Sequence, residues 1–572
     1  MPGFLVSNIN KKFKLDNLSN EKCVYEELSC SFKVCRNTLN KFLNDKIFQE
    51  NDQYIVVTDG VLLNKKALME QYHSDSLFAL LIAMYQQHDS QFPVFFRGGV
   101  SGALYDKVKK QWHIWTGHVG DNAVFYYCFQ NQFIAASQVN YILDNIEKET
   151  LTLNEQAVYS MLTYGFMYDD RTYANEIKRI PPGCVLTISD QGIEMSRYYA
   201  VENNKIDVSS WSKDDIIDEL DKRFRNAVKL EFDKDIEYGY SHLVDLSGGF
   251  DCRMTAWVAH DMGYTDCVNI CYSQSSGNDF PIAQEIAAKL NNKLFFRQMD
   301  DAKFLSEIDR LTALSNGVDR YSAITGGEDM LRHMDCDLFG VEHTGMLGDV
   351  VISSFVRTNQ ENTERKVGAM CSEVLKDRVL REHIFQYPNT EIQKMYIRGF
   401  YGACSSVMIR RNYVEVAAPF IDPDVLDFCM SIPLEYRADH KIYNEWVIRK
   451  YPGAADIRWS HNDRKITDGK FRGTMRALRY RGWDKICRVL RPKKYVTAYN
   501  MNPFDYWYTS KPEIKDIMDG YYREHIKCPM LTTSLRRDME YLYANGSAYD
   551  KTLVLTAQSA LDMYFGLLRD KG

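Results

Sequence analysis

The stretch His242–Arg253, HLVDLSGGFDCR, limits what this chain can fold into more than any other part of it. Leu243, Val244 and Leu246 predict a short buried strand. The run breaks at Ser247-Gly248-Gly249, and Met254–Ala259 predicts a helix that stops near Gly263. Strand, glycine turn and helix start form a grip for phosphate, because glycines admit the backbone closely and the amides and helix N-terminus face the anion. Asp251 adds a carboxylate at the same place, as a divalent cation bridging to phosphate would require. The spacing is neither GxxxxGK[ST] nor GxGxxG, so a Walker-type loop and a dinucleotide fingerprint are both excluded.

The surroundings extend this into a sheet. An amphipathic helix from Trp211 (Ile216, Ile217, Leu220, Phe224, Ala227, Val228) leads into the loop strand. Cys267–Tyr272 predicts a second buried strand, Pro281–Leu290 a helix, Leu294–Arg297 a third strand and Leu338–Val341 a fourth. Alternating strands and helices predict a parallel α/β sheet with its ligand at the carboxyl ends of the strands. The first 200 residues read differently, as a strand-rich α+β domain. Two apolar runs around Asp59-Gly60 predict a hairpin. Ser74-Asp75-Ser76 opens a helix at Leu77–Tyr85, Val100–Ser137 predicts a run of short strands, and Pro181-Pro182-Gly183 marks a rigid turn before a strand.

A length of 572 residues implies at least two domains, on a prior of about 150 residues each. We place them at 1–205, 206–475 and 476–572, the last a helical extension. The net charge of −7 argues against general nucleic-acid binding. No run of ~18 apolar residues predicts a membrane span, and the opening MPGFLVSNINKKFKLD has no apolar signal region. The 14 cysteines include no CxxC pair, and Cys267 and Cys271 read as buried thiols rather than metal ligands, so a reducing, cytoplasmic setting is expected.

SGGFD after a strand resembles the pyrophosphate loop, SGGxDS, of N-type ATP pyrophosphatases. Leu162–Ile188, through Tyr164, Gly165, Thr172, Ile177 and Pro181-Pro182-Gly183, resembles the linker between the halves of asparagine synthetases, and the strand order before it is similar to their Ntn-hydrolase glutaminase half. The resemblance spans most of residues 50–475. It implies an α+β Ntn-hydrolase-like domain, then an α/β parallel-sheet ATP pyrophosphatase domain with a helical C-terminal part. It implies ATP and Mg²⁺ as cofactors. Leu246, Ser247, Gly248, Gly249, Asp251 and Cys252 would hold pyrophosphate, Cys271 and Tyr272 would face adenine, Thr344 and Gly345 would close the nucleotide site, and Asp251 and Asp349 would hold the metal. Glu415, in a segment similar to the family's E-x-R-x-PF-x-D element, is the expected base for the amine; the other reading pairs it with Arg410 or Arg411. Lys465 is expected to stabilise charge on the α-phosphate, with Lys470 and Arg464 as rivals.

The sequence also departs from the family. Pro2 stands where the glutaminase half has its nucleophilic cysteine, the family's RGPD segment is missing between Glu21 and Asn51, Cys252 replaces a serine, and Ala417 an arginine. Met346 and Val350 replace two glutamates, and the related β-lactam synthetases have a tyrosine at the first of these. The expectation is an AMP-forming amide ligase without glutamine hydrolysis, joining a small-molecule, glycan or peptide carboxylate to an amine or ammonia. Alternatives are an intramolecular lactam synthetase, amidation of polysaccharide uronic acids, a tRNA-modifying ATP pyrophosphatase and a nucleotide-binding protein without chemistry. The basic segment 476–494 reads either as a solvated face or as a contact for anionic lipid or an acidic substrate.

Overall fold

The computed structural model describes residues 2–9, 23–29, 32–130, 132–363, 370–380, 383–460, 463–468, 482 and 500–566. Among these, alternating apolar residues build two antiparallel sheets from the first 200 positions. One has the order β10-β8-β9-β1-β3-β2, from β1 (Gly3–Ser7), β2 (Cys23–Ser29), β3 (Lys33–Leu39), β8 (Phe125–Phe129), β9 (Gln132–Ala136) and β10 (Ile177–Arg179). The other runs β12-β11-β7-β6-β5-β4, from β4 (Phe48–Glu50), β5 (Tyr54–Gly60), β6 (Val100–Asp106), β7 (Gln111–Trp115), β11 (Cys184–Ser189) and β12 (Gly192–Arg197). Phe4, Val6 and Val34 of the first sheet share one apolar layer with Ile55, Val57, Ala103, Trp112 and Ile114 of the second. The alternate residues Leu5, Val56 and Leu104 join the larger core with Leu80, Leu81 and Met84 of the Leu77–His88 helix, because successive strand side chains point to opposite faces. Each large side chain buried this way contributes roughly 1.5–3 kcal/mol. Ser76 caps the helix as expected, its side chain accepting from the Ala79 amide.

One turn lies elsewhere than predicted. Asp59 and Gly60 do not form a hairpin; they end β5, opposite Ser101 and Val100 of β6. The tight connection is Asn51-Asp52-Gln53, where the Asn51 side chain accepts from the amides of Gln53 and Tyr54 at 2.9 and 2.7 Å. Gly60 serves close backbone approach instead: at φ +96° a Cβ there would lie 2.0 Å from the Gly99 carbonyl oxygen. The apolar run after it is buried without being a strand.

The second half holds the four strands the sequence predicts and a fifth, Glu415–Ala417, that the sequence does not mark. The Lys213–Tyr238 helix starts at a Ser212/Asp215 capping box and stops at Gly239. It leads into β13 (Ser241–Asp245), followed by β14 (Val268–Ser273), β15 (Lys293–Gln298), β16 (Phe339–His343) and β17 (Glu415–Ala417). All pairings are parallel, in the order β15-β14-β13-β16-β17. The order reverses at β13, so the crevice beyond the carboxyl ends of β13 and β16 is the topological switch point, where such sheets bind ligands. Residues 500–566 are helical. The Ala548–Phe565 helix is buried along most of its length and packs on the Glu155–Tyr164 and Ile308–Leu314 helices. Among the described residues no helix is long and apolar enough to cross a membrane.

Candidate active site

At the switch point β13 ends in Asp245, and Ser247-Gly248-Gly249 turns into the Phe250–Asp261 helix. Gly249 occupies the N-cap and brings no capping side chain, so the helix starts with its first-turn amides uncapped by that residue. Two loop amides are already engaged, contrary to the expectation that they face an anion: Gly248 donates to Asp279 Oδ1 at 3.0 Å and Gly249 to Ser247 Oγ at 3.2 Å. Gly248 must be glycine, because a Cβ there would lie 2.4 Å from Ser460 Cβ.

Two cavities meet at this loop and share Ser247 and Met501. The first, about 250 Å³, is lined by Ser247, Gly249, Asp251, Asp279, Asp349 and Tyr443, among others. The second, about 270 Å³, is lined by Leu246, Cys252, Cys271, Tyr272, Thr344 and Gly345, with Asp245, Met346 and Arg410. The structure therefore gathers every residue expected to touch nucleotide or metal around one loop, except that Gly248 faces Asp279 and Ser460. Thr344 is fixed by its amide on the Ala417 carbonyl (2.9 Å). Gly345 and Gly348 allow the close packing, since a Cβ at Gly345 would meet the Cys252 amide nitrogen at 2.2 Å and one at Gly348 would meet Asp251 Cγ at 2.7 Å.

The charges here are tuned by neighbours. Loss of solvent around Asp251, reinforced by the charge of Asp349, pushes the Asp251 carboxyl up to about 8. The Tyr443 hydroxyl donates to its Oδ1 at 2.8 Å. Burial lifts the Cys252 thiol to about 12, which keeps it protonated and leaves it a weak S–H donor. Behind the second cavity Arg410 donates to Asp245 (2.7 Å), Glu342 (2.5 Å) and the Tyr272 hydroxyl (2.7 Å). His440, which lines the first cavity, has a positive φ of 60°, as do its neighbour Asp439 (58°) and Leu347 (62°), two positions before Asp349, the kind of backbone strain that concentrates at functional sites.

The two residues expected to be catalytic lie elsewhere. Glu415 begins β17 and forms ion pairs with Lys46 (2.8 Å) and Arg411 (3.1 Å). Although burial opposes ionisation, Lys46 and then Arg411 hold its carboxyl down to about 2, too acidic for a base near neutrality. Arg411 also reaches Asn122, in the loop before β8, and Asp59 of β5, so Glu415 sits at the junction of the two halves. Lys465 donates to Asp456 at 2.7 Å on the surface and lines neither cavity. Arg464 lines neither cavity too; Lys470 and the segment 476–494, apart from Gly482, lie outside the described residues.

Sequence reasoning missed Tyr443, Asp279 and Arg253. Arg253 is fully buried and donates to the carbonyls of Gly248, Ala454, Ile457 and Arg458 at 2.6 to 3.2 Å, tying the glycine loop to the segment that carries Trp459 and Ser460. The only sequence signal was its position in the first turn after the loop.

The glutamine amidotransferase domain family matches residues 39–199. Asparagine synthetase [glutamine-hydrolyzing] 1 of Bacillus subtilis is 18% identical over 271 residues, 46% of this chain and 42% of that protein. A putative asparagine synthetase [glutamine-hydrolyzing] 1 of Methanocaldococcus jannaschii is 20% identical over 438 residues, 72% of this chain and 71% of that protein. The chain thus spans less than half of the first relative. Among solved structures, glutamine phosphoribosylpyrophosphate amidotransferase from Bacillus subtilis, complexed with ADP and GMP, is 11% identical, covering 43% of this chain and 54% of that one at a TM-score of 0.23.

Proposed function

We propose, from the premise that the chain is asparagine synthetase-like with an N-terminal glutamine amidotransferase domain, that it is an ATP-dependent, AMP-forming amide-bond ligase. The observation that carries the reading is the convergence of a glycine loop, a paired Asp251 and Asp349, and an adjoining second cavity at the switch point of a parallel sheet. Adenosine would sit against Leu246, Cys271, Tyr272, Thr344 and Gly345, and the polyphosphate against Ser247-Gly248-Gly249 and the helix N-terminus. The residues fit Mg²⁺: two carboxylates share the first cavity, and the upward shift of Asp251 registers a negative site that a cation relieves. Asp251 and Asp349 would hold the ion, which when bound offsets the charge of the leaving pyrophosphate.

In this reading a substrate carboxylate oxygen attacks the α-phosphorus and the bond to pyrophosphate breaks. An amine then attacks the acyl carbon, and AMP leaves. Tyr443 orients Asp251 through its hydroxyl. Arg253 fixes the Gly248 carbonyl, and so the loop, against residues 454–458. The Cys252 thiol supplies the weak donor that a hydroxyl would otherwise provide. Glu415 is a strut between the halves and Lys465 a surface pair, so neither acts in the chemistry.

The nitrogen comes from ammonia or an external or substrate-borne amine rather than glutamine. The residue leading into β1 is Pro2, which has neither thiol nor hydroxyl; its carbonyl accepts from Gln138 Nε2 at 2.7 Å. The match of residues 39–199 to glutamine amidotransferases favours a second reading, a glutamine-fed synthetase. Incubation with Mg-ATP, carboxylate fractions and either ammonium or ¹⁵N-amide glutamine, read by mass spectrometry, separates them. We expect AMP and pyrophosphate with ammonium or an amine. Release of glutamate would establish the second reading, and ADP in place of AMP would overturn both.

A further inference from the structure

We propose that Asp235, His242 and His343 form a site for one divalent transition-metal ion of the zinc class, separate from the nucleotide site, that staples the Lys213–Tyr238 helix to β13 and β16. The three groups come from three elements: Asp235 from the helix, His242 from β13 and His343 from β16. All are buried, and one ligand atom from each lies within 4.8 Å of the others. Asp235 Oδ2 stands 3.0 Å from His242 Nδ1 and 2.9 Å from His343 Nε2. Tetrahedral zinc with bonds of about 2.0–2.1 Å sets its ligand atoms roughly 3.3 Å apart, so the two aspartate–histidine distances need to open by only a few tenths of an ångström, and the two imidazole nitrogens already lie within 4.8 Å of each other.

The surroundings hold each ligand in place. His343 Nδ1 faces Glu231 Oε2 at 3.1 Å, which fixes the ring and aims Nε2 at the centre, the carboxylate–histidine arrangement that accompanies most metal-bound imidazoles. Asp235 Oδ1 accepts from the Val341 amide at 2.9 Å, which aims Oδ2 at the two imidazoles. Gly340 admits this approach, since a Cβ there would lie 2.5 Å from Asp235 Oδ1. Phe232 stacks on the His343 ring at 3.8 Å and 14°, and packs beside His242 at 4.8 Å. A 2+ ion with two neutral imidazoles balances the two buried carboxylates, Asp235 and Glu231, that face this centre. Two imidazole nitrogens select a borderline ion such as Zn²⁺, Co²⁺ or Ni²⁺ over Mg²⁺. Three protein ligands leave one tetrahedral position for water.

The test uses the untagged full chain, dialysed against Zn²⁺ and then metal-free buffer, with metal content read by inductively coupled plasma mass spectrometry. We expect about one zinc per chain, and visible absorption of tetrahedral Co²⁺ when cobalt is supplied instead. His242→Ala should lose the metal and the cobalt bands, and added zinc should raise Tm for the wild type but not for this variant. Glu231→Gln, which keeps all three ligands, should weaken binding roughly 10- to 100-fold. Asp349→Asn, in the nucleotide cavity, should bind zinc as the wild type does. Wild-type protein that retains no zinc and gives no cobalt bands would reduce the cluster to a hydrogen-bonded network and overturn the proposal. So would full retention in His242→Ala. Should that variant fail to fold, the wild-type metal content and the Glu231→Gln affinity decide.

Discussion

Asp251 and Glu415 are both buried acidic residues of the parallel-sheet half, one beside the carboxyl-end crevice and the other at the amino end of β17, and their surroundings act on them in opposite senses. Asp251 faces a second carboxylate and one tyrosine hydroxyl, and its carboxyl is pushed up to about 8. Glu415 faces a lysine and an arginine, and its carboxyl is held down to about 2. The first is a site short of positive charge, the second a site already filled by the protein's own cations. Motif similarity marks both residues equally; the side chains that arrive from distant segments decide which one is left to interact with a ligand and which becomes part of the framework.

The contrast makes its largest prediction at the first site. Asp251→Asn should lower AMP formation roughly a hundredfold or more, since a bound metal supplies several kcal/mol of charge stabilisation, with little change in Tm because no cation is left unpaired. Near-normal AMP release would erase the distinction. At the second site the order of effects reverses: Glu415→Ala should cost about 3–5 kcal/mol in a denaturant titration, because it leaves Lys46 and Arg411 buried without their partner. A change within experimental error would show that the pair does not join the halves.

A pH series sharpens the same point. The Glu415 carboxyl is lowered in the fold from an ordinary 4.5 to about 2. Its contribution, about 3 kcal/mol, is therefore fully present above pH ~4.5 and is lost as pH falls towards 2. Glu415→Gln should flatten the acid limb of a stability profile in that window; an unaltered limb would mean that other carboxylates set it. The smallest effect is expected at Lys465→Ala, where an exposed pair with Asp456 contributes about 0.2–1 kcal/mol and AMP formation should not change. A large loss of activity there would return Lys465 to the chemistry.

What could be read from the sequence is what depends on neighbours along the chain. The strand, glycine turn and helix at 241–261 were legible because apolar periodicity and two glycines are local signals, and so were the capped helix at Leu77 and the parallel sheet. The Asp59-Gly60 hairpin failed for the opposite reason: that glycine answers to the Gly99 carbonyl, 39 positions away, and a turn signal cannot be told from a close approach within one strand. In the site, the loop and Asp349 could be found by motif, whereas Tyr443 reaches Asp251 across 192 positions and Arg253 reaches Arg458 across 205. Nothing in the residues around Tyr443 marks it as part of this cavity. Glu415 was found by motif and its pairing with Arg411 was one of the two readings of it, but its other partner, Lys46, comes from the other half of the molecule.

The Ala548–Phe565 helix has a bearing on how the protein is made. It is the last described element in the chain, yet it covers the Glu155–Tyr164 and Ile308–Leu314 helices, formed far earlier in synthesis. Leu553, Val554, Leu555, Ala557 and Ala560 of this helix are fully buried. Until these residues have emerged, both halves carry an open apolar face, so the fold cannot close before segment 548–565 has been made, and the earlier part of the chain depends on being shielded meanwhile.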